Sequence, residues 1–115
     1  MRIALAVALC CLLMQPPPVR GEDAPRLSEK GCGVAADMVL VARSLASEGV
    51  AREQAEKIMA RVYESYDQAP VIALRKLLTD FAYRRVDKPM DLANALGRAC
   101  LTTGGHLNSM IGTST

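Results

Sequence analysis

The chain has 115 residues, of which 50% are apolar, 23% charged and only 3% aromatic, and its formal charge is +2. That length suits one domain and excludes a doubly wound sheet with a second domain, a TIM barrel or a long solenoid. So few aromatics, with so little net charge, exclude a stacking platform for single-stranded nucleic acid and a strongly basic nucleic-acid surface.

Residues 1–21 carry the layout of a secretory signal peptide. Arg2 is a positive start, Ile3 to Met14 is an unbroken apolar run, and Pro16, Pro17 and Pro18 end it. Gly21 is a small residue at the cleavage point, with Val19 two positions earlier. The apolar run falls short of the roughly 20 residues that span a bilayer, so no stable membrane anchor is expected after cleavage. A lipoprotein signal is disfavoured, because no small residue directly precedes Cys10 or Cys11. Arg2 and Arg20 leave with the leader, so the mature chain balances 12 basic against 12 acidic side chains. Its charge is uneven: residues 22–70 are net acidic and residues 71–115 net basic.

Residues 22–32 read as a polar arm, residues 33–104 as the folded domain, and residues 105–115 as a flexible C-terminal tail. From Gly33 to Glu48, Val34, Met38, Val41 and Leu45 recur at helical spacing, widened by Ala35, Val39, Ala42 and Ala46. Gly49 is a left-handed stop. A second helix begins near Ala51, a poor N-cap, with Gln54 at the third position of a capping box. Its buried stripe is read as Ala55, Ile58, Met59, Val62 and Tyr66, with Glu53 and Lys57 paired outside. Asp67 is read as the cap of a third helix, running to about Val86 on a face of Val71, Leu74, Leu77, Leu78 and Phe81. Pro89 opens a fourth helix, with Leu92, Leu96, Ala99 and Cys100 inward, and Gly104 and Gly105 end it.

No strand is indicated. Short connections between four helices predict an all-α, antiparallel four-helix domain. In such an up-down-up-down path the start of the first helix and the end of the last share one end of the bundle. Cys32 and Cys100 occupy those two places, which predicts a disulfide, as does an even pair of cysteines in an exported chain.

Candidate chemistry is sparse. His106 is the only histidine, and Ser109 nearby has no acid partner at a triad spacing. Glu53 and Glu56 share a helical face but are flanked by Arg52 and Lys57, the pattern of a solvated ion-pair surface. Two cysteines and one histidine do not make a zinc site, so no catalytic residue, metal or other cofactor is assigned. Tyr63, Tyr83, Arg84, Arg85 and Lys88 form the candidate surface for a protein partner, because Tyr and Arg are favoured anchors.

Cys32, Arg43, Gly49, Val50, Tyr83, Pro89 and Cys100 give an outline that resembles small uncharacterised exported bacterial helical proteins with a Cys pair. A small exported helical domain with one disulfide is also similar, in outline, to the periplasmic acid-stress chaperones of the HdeA type. The resemblance implies a fold and a periplasmic or secreted location, and no activity. Two readings follow: an exported non-enzymatic protein that binds a partner or unfolded clients in envelope stress, or an inhibitor or accessory subunit of an envelope enzyme.

Overall fold

The computed structural model describes residues 26–107 and Ile111; the leader reading, residues 22–25 of the arm and Ser109 lie outside the described residues. Four α-helices follow one another: α1 (Glu29–Ser47), α2 (Arg52–Val62), α3 (Ala69–Tyr83) and α4 (Pro89–Thr102). No strand occurs among the described residues. The fold is the expected all-α four-helix domain with a Cys32–Cys100 disulfide.

Helix α1 begins four residues earlier than its apolar periodicity suggested. Ser28 is the cause: its Oγ accepts from the Gly31 backbone N–H at 3.0 Å, satisfying one of the donors that a helix start leaves free. Cys32 therefore lies inside the helix rather than at the end of an arm. The buried stripe of α1 is Cys32, Ala35, Met38, Val39 and Ala42, while Val34, Val41 and Leu45 are half-buried at its margins. Ala36, half-buried beside that stripe, is small enough to let α4 approach closely. A Cβ placed on Gly97 of α4 would lie 3.4 Å from the Ala36 Cβ, within van der Waals contact.

Helix α1 is central, packing on α2, α3 and α4. Three contacts fix α4 antiparallel to it: the Cys32–Cys100 bond, the Ala36–Gly97 approach, and the Leu27 N–H donating to the Gly105 carbonyl at 2.9 Å. At the other end, Arg43 fastens α3. Its Nη1 donates to the Ala82 carbonyl at 3.0 Å, an acceptor in the last turn of α3, and its Nε to the Asp87 carbonyl at 2.9 Å. A cation at a helix C-terminus is favoured by both hydrogen bonding and the helix dipole.

The core joins Met38, Val39, Met59, Leu74, Leu78, Phe81, Leu92 and Leu96 around the disulfide. Three expected boundaries move. Gln68 rather than Asp67 precedes α3, without a side-chain cap, and Pro70 is tolerated in the first turn because no helical N–H is needed there. Helix α3 ends at Tyr83, and Val86 beyond it is 94% exposed. The segment read as a flexible tail contributes to the core, since Leu107 and Ile111 are buried. Gly104 and Gly105 take positive φ values of 68° and 95°, which turn the chain back so that Leu107 can reach the interior.

The disulfide closes a loop with a sequence separation of 68, and the chain-entropy model assigns it about 4 kcal/mol. Cys100→Ser is expected to lower the melting temperature by roughly 15 °C or more while leaving helical circular dichroism at low temperature largely intact. Two free thiols titrated in the native protein would contradict the bond. Gly105→Ala should cost more than about 1 kcal/mol, because its φ disfavours a side chain and a Cβ there would collide with the Leu27 backbone. Gly33→Ala, an open position in α1, should instead stabilise by about 0.5–1 kcal/mol, and urea midpoints of the two variants separate these effects.

Candidate functional site

The two ends of α2 are held by different polar contacts. At its start, Arg52 pairs with Asp80 of α3 at 2.8 Å and with Glu56 at 3.5 Å, and Arg84 shares Asp80 at 3.0 Å. The expected Glu53–Lys57 pair does not form among the described residues; Arg52–Glu56 takes that role one position earlier. Ala51 makes no side-chain cap bond, so the expected capping box is not closed. The loop before α2 is anchored instead by Tyr83, whose hydroxyl donates to the Val50 carbonyl at 2.7 Å. Burial pushes the Tyr83 phenol above its ordinary pKa, partly opposed by Arg43.

At the far end of α2, the Tyr63 hydroxyl donates to the Asp37 carboxylate of α1. Tyr63 is 5% exposed and belongs to the core cluster. Its burial, followed by the Asp37 hydrogen bond and charge, raises the phenol pKa well above its ordinary value of 10.0. The sequence reading placed Tyr63 on the surface and Val62 and Tyr66 inside; the structure reverses this. Val62 is 53% exposed and Tyr66 42% exposed, because the inward line of α2 runs through Ala55, Met59 and Tyr63. These three are spaced by four residues each, one helical face with a slight drift.

The candidate partner residues are consequently divided. Tyr63 is a core residue at one end of the bundle. Tyr83, Arg84, Arg85 and Lys88 cluster at the opposite end, separated by the length of α3, about 20 Å. Within that cluster Tyr83 is half-buried, Arg84 is paired with Asp80, and Arg85 is paired with Asp87 at 2.8 Å while lying over the Phe81 ring. The Arg85 hydrogen bond holds the Asp87 carboxyl below its ordinary range. Lys88 is exposed at the start of α4. His106 is exposed, and no group of three His, Cys, Asp or Glu residues able to hold a metal occurs among the described residues.

The surface that stands out is one the sequence reading assigned to the core. Ile58 and Val62 line an open groove of about 240 Å³ on α2 with Gln54, Lys57 and Arg61. Tyr66, in the turn that follows, stands beside a second groove of about 230 Å³, walled by Leu27, Val34, Val71 and Leu74 with Lys30 among its lining. That second groove lies where the starts of α1 and α3 meet the end of α2, and its lining is mainly aliphatic. No helix among the described residues is long and apolar enough to cross a membrane. Comparison with protein-family models, with curated proteins and with solved structures finds no match for this chain.

The Tyr63 contact has a pH signature. A phenol whose pKa is raised by folding contributes stability that is present below its unfolded value and lost as pH rises above it. The urea midpoint is therefore expected to fall as pH rises past about 10, and Tyr63→Phe should flatten that decline. At neutral pH the same substitution should cost about 1 kcal/mol, the usual worth of one hydrogen bond.

Proposed function

We propose that this chain is an exported helical protein that acts by binding other proteins, and that the exposed apolar ridge of α2 and its turn is its contact surface. The observation that carries this is the pairing of Val62 and Tyr66, both substantially exposed, with adjoining grooves on α2 and between α1 and α3. Aromatic and aliphatic anchors beside a concave apolar surface are what a protein interface uses at its centre. The disulfide is consistent with an oxidising compartment and supports export to the periplasm or medium. The reading assigns no catalytic role. Envelope stress is its proposed setting, in keeping with the outline similarity to HdeA-type chaperones.

The same surface suits the accessory-subunit reading, and the number of partners separates the two. The wild-type protein, identified by intact mass as a chain starting near Glu22, is to be crosslinked in the exporting cell and purified with its partners. One stoichiometric partner supports an inhibitor or accessory subunit; many substoichiometric ones support a stress protein with unfolded clients. Val62→Asp and Tyr66→Asp should each reduce capture several-fold while leaving circular dichroism unchanged, because neither side chain is buried in the core. Undiminished capture by both variants would refute the assigned surface, and a full-length cytoplasmic species would refute export.

A further inference from the structure

The proposed contact surface carries a chemical preference. Gln54, Lys57, Ile58, Arg61 and Val62 fall at i, i+3, i+4, i+7 and i+8 of α2, one continuous face of the helix. Lys57 and Arg61 form one edge of that face, and Ile58 and Val62 form the other. Lys57 and Arg61 are exposed and make no ion pair among the described residues, whereas the nearby Arg52, Arg84 and Arg85 are all paired. No carboxylate is among the described residues lining the groove. An apolar strip edged by two free cations is complementary to an apolar strip edged by carboxylates.

Resting on the protein-binding reading above, we propose that the α2 face takes an acidic amphipathic helix of a partner protein, its apolar ridge on Ile58 and Val62 and its carboxylates against Lys57 and Arg61. Helix-on-helix docking is the geometry that a straight i, i+4 ridge permits. Anionic membrane is the weaker fit, because surface recruitment of that kind draws on clusters of about 4–8 basic residues and this face has two. The charges set preference and the apolar pair supplies the burial, so loss of either weakens binding in a distinguishable way.

The probe is a fluorescently labelled synthetic helix with leucines at i, i+4 and i+7 and glutamates along one flank, compared with its Glu→Lys counterpart by anisotropy. The wild-type protein should bind the glutamate helix about tenfold or more tightly than the lysine helix, and added salt should narrow the difference. Lys57→Glu combined with Arg61→Glu should reverse that preference, while Val62→Asp should weaken both peptides. Arg98→Glu, exposed on α4 and away from α2, is the control and should change neither. Equal binding of both helices, abolished by Val62→Asp, would overturn the charge preference while leaving the contact surface in place. Binding of neither helix would overturn the proposed occupant, and the crosslinking experiment then decides the contact surface independently. Two further results overturn it: sedimentation showing a dimer that Lys57→Glu with Arg61→Glu dissociates, which would make the occupant a second copy, or tighter capture by phosphatidylglycerol vesicles than by the glutamate helix.

Discussion

The Cys32–Cys100 bond closes one end of the bundle, and most of the remaining geometry can be traced from it. It joins the first turn of α1 to the last turn of α4, and the antiparallel register continues from there in both directions. Outward, the Leu27 N–H meets the Gly105 carbonyl and Arg26 donates to the Gly104 carbonyl; inward, Ala36 meets Gly97. A core with one Phe and no Trp has few large side chains to fix helix positions by shape alone. A covalent bond between two buried sulfurs, with small residues beside it, fixes the α1–α4 pair without them.

The other two helices are located by polar contacts at their ends. Arg43 reaches from α1 to the carbonyls that close α3, and Tyr83 reaches back from the end of α3 to the loop that begins α2. Arg52 and Tyr63 then fasten the two ends of α2 to Asp80 and Asp37. Between those fasteners α2 buries only Ala55 and Met59. It buries the fewest residues of the four helices, and it leaves Ile58 half-buried and Val62 exposed on its outer face. The two properties share one origin, because the apolar residues that α2 does not bury are those it presents to solvent.

That arrangement separates structural from contact roles among similar residue types. Of the three tyrosines, two spend their hydroxyls on fixing helix ends, and Tyr66 alone makes no side-chain hydrogen bond among the described residues. Of the arginines around α2, Arg52 and Arg84 are committed to Asp80, leaving Arg61 with Lys57 beside the apolar ridge. The candidate surface is thus defined by which groups the fold has already engaged, as much as by which are exposed.

The sequence by itself determined the four helices, their alternating direction and the cysteine pairing, because helical periodicity and short loops are local properties and the antiparallel path follows from them. It also determined the stops at Gly49 and Gly104, where only glycine takes the positive φ cheaply. The rotation of α2 was decided only by the tertiary structure. Val62 and Tyr63 are adjacent and both apolar enough to face inward, and nothing within α2 chooses between them. The choice is made by Asp37, 26 residues earlier, whose carboxylate satisfies a buried hydroxyl that Val62 does not have. The burial of Leu107 and Ile111 was equally invisible in a polar-looking tail, because it depends on a turn at Gly104 and Gly105 and on the space left beside the disulfide. Long-range partners settled both cases, and a local pattern carries no record of them.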